Sequence, residues 1–171
     1  MILGMSTATY TFIHVLISLV GIASGLVVMY GMLTGRRFDG MTALFLTTTV
    51  LTSVTAFGFP FDHLLPSHKV AILSFVVLAI AIVARYPLHL AWRKTYVIGA
   101  SIALYLNVFV LVAQLFAKVP ALKALAPTQT EPPFLIAQLV VMAIFIVLTI
   151  FAVKRFRSGP VAAIRPTGKA A

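Results

Sequence analysis

The segment YTFIHVLISLVGIASGLVVMYGMLTGRR, residues 10–37, decides the fold class of this chain. Between Tyr10 and Leu33 it carries no Lys, Arg, Asp or Glu, and it ends at Arg36 and Arg37. About 20 apolar residues are enough for an α-helix to cross the hydrocarbon core of a bilayer. No basic region precedes the run, and no Ala-x-Ala-like site follows it within the length of a signal peptide. The segment therefore predicts a retained membrane-spanning helix.

Four further apolar segments extend this prediction to an all-α, polytopic membrane protein with a bundle of five transmembrane helices. The predicted spans are residues 10–33, 41–59, 69–86, 96–117 and 133–153. The third span is the shortest, because its charge-free part ends at Arg85, and a continuation past a kink at Pro87 is an alternative. Residues 1–157 are predicted to form one domain, and residues 158–171 a basic, flexible cytoplasmic tail.

The composition agrees with lipid as the main solvent and excludes several classes of function. Of the 171 residues, 61% are hydrophobic and 9% are charged, and the mean hydropathy is +1.10, which is more apolar surface than a soluble domain of this size can bury. The absence of cysteine excludes disulfides, thiolate metal sites, iron–sulfur clusters and cysteine nucleophiles. The net charge is +10, but no basic stretch is interleaved with stacking aromatic residues, so nucleic acid is not an expected partner. The expected partners are the lipid bilayer and either another membrane protein or further copies of the chain.

The Lys and Arg residues are divided unevenly between the two sides of the predicted bundle. Ten of the thirteen fall in connections that share one side, and three fall on the other. Because basic residues are enriched in cytoplasmic loops, this distribution predicts an N-terminus outside the cell membrane and a C-terminus in the cytoplasm. The three basic residues of the outer side are Lys69, Lys118 and Lys123.

The rarer polar side chains gather on the outer side. This side holds two of the three acidic residues and three of the four histidines. Ionisable and amide side chains are unusual in lipid and are therefore candidates for a functional site. The ligand-binding candidates are His14, Asp62, His63, His68, Gln114, Glu131 and Gln138, and Asn107 is the polar residue nearest the middle of a span.

His14 is the most suggestive of these candidates. It heads a stripe of small residues at helical spacing, and small residues allow membrane helices to pack closely. We therefore expect His14 to face the bundle, with a hydrogen bond to a neighbouring helix carbonyl as the structural alternative to a functional role. The small residues of the stripe are Ser18, Gly21 and Gly25.

The other intramembrane polar residues have structural alternatives as well. Asn107 and Gln114 share one helix face and are suited to bridge helices by hydrogen bonds. Thr48, Thr52 and Thr55 align on one face of the second span, where they either line a polar path or bond back to their own helix carbonyls.

Two helix signals lie in the longer outer loop. Glu131 precedes two prolines, which is typical of a helix start, with the carboxylate near the positive end of the helix dipole. Residues 120–126 are predicted to form one or two helical turns at the membrane interface.

Three classes of function remain open. A divalent metal, haem or quinone site at the outer face would use His14 together with the outer-loop histidines and carboxylates, although their spacing matches no metal signature. A small oligomeric transporter or channel would need a polar group near the middle of the bundle, where Asn107 lies. A non-catalytic accessory or scaffold bundle is the favoured interpretation for a small bundle with no recognisable active site. Hydrolytic catalysis is disfavoured, since the sequence has no nucleophile elbow and no segment with two carboxylates.

Three phrases of the sequence resemble those of a family of small multi-pass bacterial inner-membrane proteins of no known activity. They are LTSVTAFGFP (residues 51–60), YLNVFV (residues 105–110) and APTQTEPPF (residues 126–134), and the resemblance covers most of the chain. It implies a multi-pass location in the bacterial inner membrane, so that the predicted outer side is periplasmic. It implies no substrate, cofactor or site residue.

Overall fold

The computed structural model describes residues 2, 4–59 and 66–157, with the backbone alone for residues 66 and 67, and these residues form helices and turns without a β-strand. Five long helices and one short helix follow one another along the chain. They are α1 (Thr7–Thr34), α2 (Asp39–Ala56), α3 (Pro66–Arg85), α4 (Arg93–Lys118), α5 (Pro120–Leu125) and α6 (Pro132–Arg155).

Four of the described helices are long and apolar enough to cross a membrane. α2 is not among them, because six threonines, one serine and Asp39 lower the hydropathy of its 18 residues. The third helix, which is the shortest of the spans predicted from the sequence, does qualify. The four candidate spans are Thr7–Thr34, His68–Arg85, Arg93–Lys118 and Pro132–Arg155.

The alternative in which the third helix continues past Pro87 is wrong. α3 ends at Arg85, and residues 86–92 form a turn in which His89 (φ +45°) and Leu90 (φ +62°) adopt left-handed backbone conformations. A proline disfavours helical backbone at the residue that precedes it. The chain therefore reverses here and re-enters the bundle as α4.

Local sequence signals set the ends of several helices. Ser6 caps α1 by accepting a hydrogen bond from the amide three residues later (3.1 Å), and Gly35 ends the helix at φ +70°, a conformation that glycine adopts without strain. Pro132 and Pro133 occupy the first turn of α6, which confirms the helix start predicted there. The prediction of one or two helical turns near residue 120 is confirmed by α5.

The five long helices form a closed ring in the order α1, α2, α3, α4, α6, and α6 contacts α1. α4 also contacts α1 and α2 across the ring. The approach is close because α1 presents a glycine to its neighbours: a Cβ atom on Gly25 would lie 2.5 Å from Leu104 Cδ1 and 2.8 Å from Phe45 Cδ2. Leu104 and Phe45 are buried in the main hydrophobic core.

One end of the bundle is closed by charged contacts between helices, and we call it the charged end. Arg85 of α3 is buried and forms an ion pair with Asp39 at the start of α2. Its guanidinium lies 5.0 Å from the centre of the Tyr96 ring of α4. Arg93 donates a hydrogen bond from Nη1 to the carbonyl oxygen of Phe156, just after α6. These contacts join the helix ends that carry most of the basic residues.

Candidate functional site

A cavity of about 570 Å³ lies at the opposite end of the bundle, between α1, α2, α3 and α4, and we call this the cavity end. It is bounded by the first half of α1, the end of α2 with Phe59 beyond it, the start of α3 and the second half of α4. Its walls are mainly apolar. The polar side chains that line it are Thr11, His14, Ser18, Thr52, Ser53, His68, Ser74, Asn107, Gln114 and Lys118.

The cavity brings together four residues that the sequence singles out. His14, His68, Gln114 and Asn107 all line it, although they come from three different helices. His14 is half-buried, in agreement with the expectation that it faces the bundle. His68 is 1% exposed, and its ring centre lies 5.3 Å from that of Phe57.

His14 is held in one orientation by the end of α2. Its Nδ1 atom lies 2.7 Å from the hydroxyl oxygen of Thr55, and the ring of Phe59 meets the imidazole edge to face, with 5.3 Å between ring centres. Tyr10, one turn earlier on α1, donates its hydroxyl to the carbonyl oxygen of Thr55 at 2.8 Å. A Cβ atom on Gly58 would collide with the Tyr10 hydroxyl, so this contact requires a glycine at position 58. Two side-chain hydrogen bonds from the first half of α1 to α2 therefore meet at one residue, Thr55.

Most hydroxyl groups of α2 are satisfied within their own helix. Thr42, Thr48, Ser53 and Thr55 donate to the carbonyl oxygen four residues earlier, at 2.9, 2.7, 3.0 and 2.8 Å. This agrees with the structural alternative to a polar path. Thr52 differs, because its buried hydroxyl has no hydrogen-bond partner among the residues that the structure describes, and the residue lines the cavity.

Asn107 and Gln138 bridge pairs of helices. Nδ2 of Asn107 donates to Oγ1 of Thr49 at 3.1 Å, which joins α4 to α2. Nε2 of Gln138 donates to the carbonyl oxygen of Phe109 at 3.1 Å, which joins α6 to α4. Gln138 is buried in that contact and is not one of the residues that line the cavity. Packing therefore places Gln138 apart from the other candidates.

Glu131 organises the loop before α6. Its carboxylate accepts hydrogen bonds from the amide and the hydroxyl of Thr128, at 3.1 and 2.8 Å, and from the amide of Thr130 at 3.0 Å. Partial desolvation raises the pKa of this carboxyl, but the hydrogen bonds outweigh it and hold the pKa below its usual value of 4.5. The arrangement agrees with a structural role, and Glu131 does not line the cavity.

The metal-site hypothesis depends partly on Asp62 and His63, which lie outside the described residues, as does the predicted tail at residues 158–171. Within the described ranges, no group of three or more His, Cys, Asp or Glu side chains could hold a metal ion. Two such side chains, His14 and His68, line the cavity. The described part of the site offers hydrogen-bonding groups: imidazoles, amides, hydroxyls and one ammonium.

Sequence reasoning misses, among other residues of this site, Lys118, Phe59 and the role of Thr55 as the anchor of His14. Lys118 lies one turn after Gln114 on α4, so their common face is a signal that the sequence does contain. Thr55 and Phe59 give no comparable signal, because their contacts with α1 depend on how the two helices are rotated against each other.

Comparisons with protein-family models, with curated proteins and with solved structures find no match to this chain. The chemistry of the site therefore follows from its own residues and geometry.

Proposed function

We propose that this protein is an integral protein of the bacterial inner membrane that binds a small lipophilic molecule in a cavity in its periplasmic half. In this proposal α2 is a fifth membrane-spanning helix, the N-terminus is periplasmic and the C-terminus is cytoplasmic. The charged end then faces the cytoplasm, in agreement with the enrichment of Lys and Arg in cytoplasmic loops. The cavity lies at the end that is poor in basic residues.

Two features support α2 as a membrane span. It lies in the ring between α1 and α3, and its 18 residues correspond to about 27 Å of helix, close to the ~30 Å of the hydrocarbon core. Four of its seven hydroxyl groups donate to the carbonyl oxygen four residues earlier, which lowers the cost of placing them in lipid. Asp39, its acidic residue, lies at the first position and pairs with Arg85.

The observation that carries the binding proposal is the cavity itself. Small-molecule sites occupy about 300–1,000 Å³ and combine apolar walls with a few placed polar groups. This cavity has about 570 Å³ and the same mixture of side chains. The histidines and Gln114 suit a polar headgroup, and the apolar walls suit a hydrophobic tail. A quinone, one of the ligands that the sequence leaves open, has this amphipathic character.

The other two classes of function receive less support. The polar group near the middle of the bundle that a transporter would use is Asn107, and its amide is engaged with Thr49. A scaffold makes its contacts through its outer surface and has no need of an internal cavity. For a haem or metal site, the described part of the cavity wall supplies two histidines, His14 and His68, and no group of three or more metal-ligating side chains. A lipophilic ligand held by hydrogen bonds needs only the imidazole, amide and hydroxyl groups that line the cavity.

The test is to fill the cavity without disturbing the rest of the bundle. Leu111 lines the cavity, so Leu111→Trp would occupy part of it, whereas Val147→Trp adds the same side chain at an exposed position of α6. Small molecules that co-purify with each protein are extracted with solvent and identified by mass spectrometry. We expect one lipophilic compound with the wild type and with Val147→Trp, and its loss from Leu111→Trp at an unchanged circular dichroism spectrum. Equal amounts in all three proteins, or no compound in any of them, would overturn the proposal.

A further inference from the structure

The hydroxyl of Thr55 determines which nitrogen of His14 carries a proton. Its oxygen lies 2.8 Å from the carbonyl oxygen of Leu51, 3.1 Å from that of Thr52 and 2.7 Å from Nδ1 of His14. A hydroxyl has one hydrogen, and a carbonyl oxygen can only accept. A bond back to the carbonyl four residues earlier is the usual one for a threonine within a helix. With its hydrogen used in that bond, the hydroxyl accepts from His14. Nδ1 is therefore protonated, and in the neutral imidazole Nε2 is left as an acceptor.

The acceptor Nε2 belongs to a side chain on the cavity wall. None of the described residues donates a hydrogen bond to it, and the ring is held in place by Thr55 and Phe59. His14 is half-buried, and a lipophilic ligand that donates to its acceptor would add a hydrogen bond that the ligand itself shields from water. The site of His14 thus favours a ligand with a hydrogen-bond donor.

Donors of the protein lie on another wall of the same cavity. Gln114 and Lys118 are one turn apart on α4, and both line the cavity. The ammonium of Lys118 can only donate, whereas Nε2 of His14 accepts. A hydroxyl group matches both, because its oxygen accepts a hydrogen bond while its hydrogen is donated.

We propose that the cavity selects a lipophilic molecule whose headgroup is a hydroxyl group, which donates to Nε2 of His14 and accepts from Lys118. The inference rests on the proposed binding function and restricts the ligand to molecules with a hydroxyl headgroup. Hydroquinones, phenols and long-chain alcohols share this chemistry, whereas the carbonyl oxygens of an oxidised quinone can only accept.

Two redox-inert probes that differ in the hydrogen-bond donor test the proposal: 4-nonylphenol and its methyl ether, 4-nonylanisole. Each is titrated into the full-length protein in nanodiscs, and empty nanodiscs supply the background of partition into lipid. We expect the phenol to bind about tenfold more tightly, since the ether leaves Nε2 without a donor. Equal dissociation constants would overturn the selection for a hydroxyl while the binding function stands. A lack of saturable binding of either probe would contradict the binding function itself.

Substitutions of Thr55 separate the orientation of His14 from general stability. Thr55→Val removes the hydroxyl but keeps the backbone carbonyl that Tyr10 uses, and Thr55→Ser keeps both groups. We expect the preference for the phenol to fall to about twofold in Thr55→Val and to return in Thr55→Ser. His89→Asn, in the turn at the charged end, is the matched control and should keep the full preference. If Thr55→Val weakened the binding of the phenol and of its methyl ether equally, the Thr55 hydroxyl would have a merely structural role, and the proposal would be overturned.

Two further probe pairs distinguish the sources of the hydroxyl group. If 1-dodecanol also binds more tightly than its methyl ether, the cavity accepts hydroxyl lipids in general. If discrimination is confined to the phenol pair, the proposal holds for a phenolic or hydroquinone headgroup. With decylubiquinol and decylubiquinone, we expect tighter binding of the reduced form, and a preference for the oxidised form would overturn the proposal.

Discussion

The two ends of the bundle bury polar groups in opposite ways. At the charged end, Arg85 is buried, but its charge is paired with Asp39 and lies against the ring of Tyr96. At the cavity end, the half-buried His14 lines a cavity of about 570 Å³, and the buried hydroxyl of Thr52 has no hydrogen-bond partner among the described residues. The first end is closed by its own residues, whereas the second contains room for a molecule.

This difference follows from the chemistry of the groups involved. A charge in surroundings of low dielectric needs a partner with good geometry, since the loss of either partner leaves a costly unpaired ion. A neutral donor or acceptor costs less to leave unpaired and can be satisfied by a ligand. We therefore expect substitutions at the charged end to affect mainly stability, and substitutions at the cavity end to affect stability less and ligand binding more.

The largest effect is expected when the buried charge loses its partner. Asp39→Asn leaves Arg85 without its carboxylate, and breaking a fully buried pair costs several kcal/mol. Because the Asp39 side chain is 65% exposed, we expect a smaller loss in the free energy of unfolding, about 2 kcal/mol, measured in mixed detergent–SDS micelles. The double variant Asp39→Asn/Arg85→Met should be more stable than the single variant, since no unpaired charge remains. A double variant of lower stability would show that ion pairing is not the cause.

A matched pair of glycines gives the next largest effect. A methyl group at Gly58, at the cavity end, collides with Tyr10, so Gly58→Ala should break the bond from the Tyr10 hydroxyl to the Thr55 carbonyl and cost about 1–2 kcal/mol. At Gly40, in α2 near the charged end, the added methyl group meets no atom within 4 Å beyond the adjacent residues and the backbone of its own helix turn. Gly40→Ala should therefore stabilise α2 by up to about 1 kcal/mol. The same unfolding titration measures both variants, and equal effects would mean that the Tyr10 contact contributes nothing.

A smaller effect is expected from the bond between α4 and α2. Thr49→Val removes the acceptor of the Asn107 amide, and a hydrogen bond between membrane helices contributes about 0.6 kcal/mol on average. Thr149→Val is the control, since the Thr149 hydroxyl donates to the carbonyl of Phe145 within α6. We expect the control to lose less stability than Thr49→Val. If Thr149→Val lost more stability than Thr49→Val, the bond within α6 would matter more than the bond between α4 and α2.

The smallest effect concerns pH and the loop before α6. The pKa of Glu131 is held below its usual value, so the ionised carboxylate and its hydrogen bonds are retained at neutral pH and lost as the pH falls through that lowered pKa. Hydrogen-exchange protection of the Thr128 and Thr130 amides should accordingly disappear only below pH 4.5. Glu131→Gln has no titrating group and should show protection that does not change over this range. Protection of the wild type that is independent of pH would exclude the carboxylate as its cause.

Much of the fold could be predicted from local sequence. The span predicted at residues 10–33 lies within α1, and the prolines at positions 120, 132 and 133 mark the starts of α5 and α6. These features depend on the length of apolar runs and on the backbone of proline, and both act over a few residues. α2 is the exception. Its hydroxyl residues lower its hydropathy, so that it is not among the four candidate spans, although it packs in the ring with them.

The site could be predicted only in part. His14, His68 and Gln114 are rare polar residues in apolar surroundings, and this rarity is visible in the sequence. Gln138 has the same rarity, yet it lies in the contact between α6 and α4 and not at the cavity. Helices that are apolar on every side show no periodic pattern, so the sequence does not indicate how each helix is rotated in the bundle.

The sequence by itself determined that this chain is helical and rich in long apolar segments, and that ten of its thirteen Lys and Arg residues fall in alternate connections. Of the five spans that it predicts, four correspond to described helices that are long and apolar enough to cross a membrane. These properties arise from neighbouring residues and their transfer from water to lipid. Only the tertiary structure decided that the Thr55 hydroxyl meets His14 and that four helices leave a cavity beside them. The physical reason is that a hydrogen bond between helices requires a particular rotation and separation of both, and the packing of the whole ring sets these.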